Sequence, residues 1–100
     1  ITYGHGDDYR NWDVKKINNF KKIADLIKRE TGESVEYIDY RNPNDVYAKI
    51  PTVNIRLGTL DTETFSKIQR LPSLIPQVKM LNKGVKYIDL RWDTSYIKLD

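Results

Sequence analysis

The stretch YIDLRW at 87–92 decides how this chain is read. Its alternation is that of a β-strand, with Ile88, Leu90 and Trp92 on one side and Tyr87, Asp89 and Arg91 on the other. The first side suits a core. The second carries a phenol, a carboxylate and a guanidinium, which suits a solvated sheet face or a partner. A near copy, YIDYRN, stands at 37–42. Each stretch follows a segment of helical periodicity and a glycine, Gly32 or Gly84. That order fits an internal duplication, and equally fits two independent uses of one helix–glycine–strand grammar.

Working outward, Val14, Ile17, Phe20, Ala24 and Ile27 recur at helical spacing, with Ile23 and Leu26 widening the stripe. The spacing predicts a helix over Val14–Arg29, with Asn11 as N-cap, Lys28 and Arg29 in the last turn, and Gly32 as the stop. Lys15, Lys16, Lys21 and Lys22 form its solvated face. Strands are predicted at 34–40, 46–50 and 53–57, separated by the RNPND turn at 41–45 and by Pro51-Thr52. A second helix begins after Asp61, an N-cap, with Leu60 and Phe65 placed as a hydrophobic staple. Pro72 and Pro76 break or kink it before 81. Strands at 85–92 and 95–99, joined by a turn at Asp93-Thr94, complete the chain as a hairpin. The fold class expected is α+β: a mainly antiparallel sheet with two helical segments on one face. Leu57, Phe65, Ile88 and Leu90 are expected to be buried together.

The chain has 100 residues, enough for a single domain (1–100) with a modest core. It begins at Ile1 rather than Met, as a processed or excised piece of a longer protein would. No apolar run reaches the ~18 residues of a membrane span. Cysteine is absent, so disulfides and thiolate metal sites are excluded. The net charge of +3 is a weak cue for a polyanion, whereas seven tyrosines and two tryptophans favour protein contacts. Catalysis is not expected, because one histidine and no cysteine leave no nucleophile–base pattern. No metal or other cofactor is expected either: His5, Asp7 and Asp8 sit together in a glycine-rich stretch with no second cluster. The alternative function is a basic single-stranded nucleic-acid-binding module, in which tyrosines interleaved with lysines stack bases. Acids at Glu36, Asp39 and Asp89 in the same strands oppose it.

VNIRLG at 53–58, apolar helical periodicity over 61–81, and YIDLRW at 87–92 together resemble the extracytoplasmic β domain of the FtsQ/DivIB bacterial cell-division family. The matching positions are Leu57, Gly58, Ile88, Asp89, Leu90, Arg91 and Trp92. The order of the preceding elements and the opening ITYGHG are similar as well, while Pro72 and Pro76 depart from the family's smooth helix. The resemblance implies a single-pass cell-membrane protein of the bacterial divisome. Its anchor and first extracytoplasmic domain would lie outside these residues, and this domain would stand on the extracytoplasmic side. It implies a non-catalytic role in septum formation, with FtsB/DivIC-like and FtsL-like partners. It also implies that a partner strand adds to the last strand.

The residues point the same way. A strand at a sheet edge presents unpaired backbone donors and acceptors, which another strand can satisfy. The partner-binding residues expected are Tyr87, Arg91, Trp92, Thr94, Ser95, Tyr96, Ile97, Lys98 and Leu99. Of these, Tyr87, Trp92 and Tyr96 offer contact area, and Arg91 offers a fork for a carboxylate. Equally, Asp89 and Arg91 can pair with each other, and Trp92 can belong to the core.

Overall fold

In a computed structural model of the chain, residues 2–3, 14–81 and 84–100 are described, with side chains from Asn19 onward. Asn11, the His5/Asp7/Asp8 group and most of ITYGHG lie outside the described residues. The elements run β1 (Thr2–Tyr3), α1 (Val14–Thr31), β2 (Tyr37–Asp39), β3 (Val46–Lys49), β4 (Asn54–Gly58), α2 (Thr64–Ile68), α3 (Leu71–Met80), β5 (Val85–Asp89) and β6 (Tyr96–Leu99). The strands form one sheet in chain order, β1-β2-β3-β4-β5-β6. Pairing is antiparallel except at β1–β2 and β4–β5, where a helical crossover intervenes. The expected α+β architecture is therefore what the chain adopts. Thr2-Tyr3, read from sequence as part of an entering loop, is instead a short strand, because it finds parallel pairing with Tyr37 and Ile38.

Both crossovers step the same way along the sheet from strands pointing the same way. The right-handed rule for such connections then puts α1, α2 and α3 on one face, and α1 packs against both other helices. Between helices and sheet lies the core: Phe20, Ile23, Ala24 and Ile27 of α1 meet Ile38, Ala48, Ile55, Leu57, Ile88 and Leu90 of the sheet and Ile68, Leu71 and Leu74 of the second helical layer.

Local chemistry sets the boundaries. Gly32 ends α1 with φ +77°, its N–H donating to the Lys28 carbonyl at 2.7 Å. At the α2 entrance, Asp61 Oδ1 accepts from the Glu63 N–H (2.8 Å) and Thr64 Oγ1 accepts from the Asp61 N–H (2.9 Å). These bonds hold the turn ahead of the helix and do not cap it: the N-cap of α2 is Glu63, which has no side-chain cap bond, so the expected capping role of Asp61 is replaced by a turn-forming one. The proline segment resolves into two helices parted at Gln69-Arg70. Pro72 sits in the first turn of α3, where its missing N–H costs little. Glu33, just past α1, clamps the β3–β4 turn by accepting from the Thr52 N–H (2.9 Å) and hydroxyl (2.5 Å).

Phe65 corrects the expected core. Leu57, Ile88 and Leu90 are buried, but Phe65 is 37% exposed, and Thr64 takes the inward position beside it. The short α2 turns Thr64 and Ile68 inward, four residues apart, and Phe65 falls off that stripe. Phe65→Ala is therefore expected to cost less than about 1 kcal/mol, whereas Leu71→Ala should cost about 2–5 kcal/mol. Denaturant unfolding of the two variants checks the order.

Candidate functional site

The helix-free face of the sheet is lined by alternate strand residues. Tyr47 of β3, Arg56 of β4 and Tyr87 of β5 meet at its centre. The Arg56 guanidinium lies 5.4 Å from the Tyr47 ring centroid and 5.1 Å from that of Tyr87. It donates to both oxygens of Asp45 (2.8 and 2.7 Å) and to the Tyr87 hydroxyl (2.9 Å). Hydrogen bonding to Asp45 holds the Arg56 proton more firmly than in free arginine. Burial first, then the Asp45 carboxylate, push the Tyr47 phenol above its ordinary range, so it stays neutral at physiological pH. This cluster was not foreseen from sequence. The signal was present, since Arg56 occupies an outward position of VNIRL, but which ring it meets depends on the β3–β4 register, Tyr47↔Arg56.

One strand further along, Asp89 is fully buried. It accepts from the Arg91 N–H (3.0 Å), from Nε (3.1 and 3.2 Å) and from the terminal guanidinium nitrogen (2.8 Å). Burial pushes its carboxyl up, but the bonds from the Arg91 side chain and backbone outweigh that, and its pKa falls below the usual carboxylate range. Gly58 makes room for this pair. Its φ is +71°, and a Cβ there would stand 2.9 Å from Arg91 Cγ. The Leu57-Gly58 and Asp89-Leu90-Arg91 elements of the sequence are thus in contact, which is a physical reason for them to occur together.

The sequence reading of YIDLRW needs two corrections. Regular pairing stops at Asp89, so the alternation does not carry Trp92 to the core side. Trp92 is 52% exposed, and the Arg91 guanidinium stacks 4.9 Å from its ring. Tyr87, expected to face a partner, is covered by Arg56 and Tyr47 and is only 8% exposed. Arg91 has its fork occupied by Asp89.

Thr94, Ser95, Tyr96, Ile97, Lys98 and Leu99 do come together, in the last turn and in β6 at the edge of the sheet. The turn is tied down from the helices: Lys67 Nζ donates to the Arg91 carbonyl (3.1 Å), and Arg70 donates to the Trp92 carbonyl (2.9 Å) and the Ser95 hydroxyl (3.1 Å). The backbone orientation of β6 follows from two bonds. The Asp100 N–H donates to the Gly84 carbonyl (3.2 Å), and the Leu90 N–H donates to the Arg56 carbonyl (3.0 Å). Backbone groups alternate sides along a strand, so Tyr96 and Lys98 turn theirs to β5. Ile97 and Leu99 turn theirs to the open edge. The Ile97 side chain packs on the core from the helix side, while Tyr96 and Leu99 are exposed. Among the described residues there is no cluster of His, Cys, Asp or Glu able to hold a metal, and no helix is long and apolar enough to cross a membrane.

No family model and no curated protein matches this chain.

Asp89→Ala is expected to cost about 1.5–3 kcal/mol at neutral pH, the range for a bond to a charged partner. The carboxyl has a lowered folded pKa, so its contribution is complete above the unfolded value near ~4 and fades as pH falls through the folded value. Urea unfolding of wild type and variant at neutral and strongly acidic pH should show the gap closing on the acid side.

Proposed function

We propose that this domain is a non-catalytic docking module of the FtsQ/DivIB kind, which binds a divisome partner by accepting a strand at β6. The observation that carries the reading is the outer edge of β6: Ile97 and Leu99 direct backbone N–H and C=O groups outward, flanked by the exposed Tyr96 and Leu99 side chains. Backbone pairing would supply affinity, and Tyr96 would supply an aromatic anchor. The resemblance of 53–58 and 87–92 to the family's β domain supports an FtsB/DivIC-like partner, with an FtsL-like protein in the same assembly. It also supports an extracytoplasmic position on a membrane-anchored chain.

The nucleic-acid alternative draws less support. Arg41, Arg56 and Arg91, the arginines nearest the tyrosines of the open face, are each held bidentately by an aspartate. Phosphates would have to compete for them.

Leu99→Pro removes one outward N–H and leaves the bonds between β5 and β6 in place. Binding of an FtsB/DivIC-like extracytoplasmic segment, measured by calorimetry, is expected to weaken about ten-fold with Leu99→Pro. With Tyr96→Ala the loss should be about 1–2 kcal/mol. Circular dichroism should show both variants folded. Wild-type affinity in both would remove β6 as the site.

A further inference from the structure

The two YID stretches sit at equivalent places in two similar halves. Each half is a strand, a helical crossover, a parallel strand and an antiparallel return: β1-α1-β2-β3, then β4-α2-α3-β5-β6. The registers coincide residue for residue. Tyr37↔Lys49 and Asp39↔Tyr47 in the first half answer to Tyr87↔Lys98 and Asp89↔Tyr96 in the second. Even the parallel pairs agree, Tyr3↔Ile38 with Ile55↔Ile88. Both Asp–Arg pairs use the same bonds: the Arg41 N–H and Nε donate to Asp39 Oδ1 at 3.1 and 3.0 Å, as those of Arg91 do to Asp89 Oδ1 at 3.0 and 3.1 Å. The sequences of the return strands then align as Tyr47-Ala48-Lys49-Ile50 with Tyr96-Ile97-Lys98-Leu99.

This equivalence bears on the open edge. In the first half the outer edge of the return strand is not open, because β4 covers it. Ile50 exchanges both backbone bonds with Val53 (3.1 and 3.2 Å), Ala48 stands opposite Ile55, and Tyr47 stands opposite Arg56. Ile50 and Ala48 are the counterparts of Leu99 and Ile97, the two residues whose backbone groups face outward from β6. The counterpart of Tyr47, whose ring lies beside the Arg56 guanidinium, is the exposed Tyr96.

From this we infer that β4 is an internal template for the ligand of β6: an antiparallel strand of the pattern Val-Asn-Ile-Arg, with its first apolar residue opposite Leu99, its second opposite Ile97 and its cation over Tyr96. The inference rests on the strand-addition reading and adds the chemistry of the incoming segment. The second apolar residue would extend the helix-facing layer beside Ile97, as Ile55 does beside Ala48. The cation would stack on the phenol, a contact of the kind Arg56 makes with Tyr47. The small polar residue between the apolar ones would face solvent beside Lys98, as Asn54 does beside Lys49.

The probe is a capped peptide with the sequence of Thr52–Thr59, titrated into the full isotope-labelled chain and followed by amide NMR. Saturable shifts at Ile97 and Leu99 are expected. A spin label on the peptide N-terminus should broaden Leu99 more strongly than Ser95, and one on the peptide C-terminus should reverse that order. Alanine in place of the peptide arginine should weaken binding roughly two- to five-fold, and Tyr96→Ala in the protein should abolish that difference. A scrambled peptide that binds equally, shifts confined to Ala48 and Ile50, or no binding at all would each overturn the inference. If the divisome partner segment still binds at β6 in those cases, only the template fails. If that segment also fails to bind there, strand addition itself fails.

Discussion

A carboxylate kept dry under a guanidinium holds the C-terminal side of this sheet together. Asp89 carries no exposed surface, and a buried charge of that kind is tolerated only when its hydrogen bonds are met. Arg91 meets them with both side chain and backbone. To do so, its aliphatic stem must lie across the end of β4, which is possible only because Gly58 has no side chain and adopts a left-handed backbone. The pair thus fastens the turn after β5 to the neighbouring strand. Lys67 and Arg70 fasten the same turn from the helix side. Held at both ends of its approach, β6 is presented as an ordered edge.

The open face and the open edge of the sheet have different chemistry. On the face, arginines lie among tyrosines, but Asp39, Asp45 and Asp89 occupy their forks. Those interactions are satisfied within the domain and leave little for a ligand. At the edge, the unmet groups are backbone donors and acceptors, which a side chain satisfies poorly and another strand satisfies well. The physical contrast is why strand addition is the favoured reading over side-chain recognition of a polyanion. The duplicate architecture strengthens it, because the equivalent edge in the first half already has a strand on it.

Much of this was legible because periodicity reports local geometry. Val14–Arg29, the strand positions around Ile38, Ala48, Ile55 and Ile88, and the break near Pro72 follow from spacing, glycine and proline alone. Phe65 lies inside α2 but off the Thr64–Ile68 stripe, so periodicity put the wrong neighbour inward. Trp92, which alternation set beside Ile88 and Leu90 and which was equally open to a partner role, is exposed because β5 ends at Asp89. Element ends are decided by turns and tethers, such as Arg70 on the Trp92 carbonyl, that no pattern within the element encodes.

The sequence by itself determined the α+β class, the helix stops, the apolar layer and the presence of two related YID stretches, because each depends on residues close together in the chain. Only the tertiary structure decided that Arg56 lies between Tyr47 and Tyr87, that Gly58 must yield to Arg91, and that Ile97 and Leu99 face the open edge. Those outcomes depend on sheet register and strand order. Register is fixed by pairing between segments far apart in sequence, and a shift of one residue would turn every one of these side chains to the opposite face.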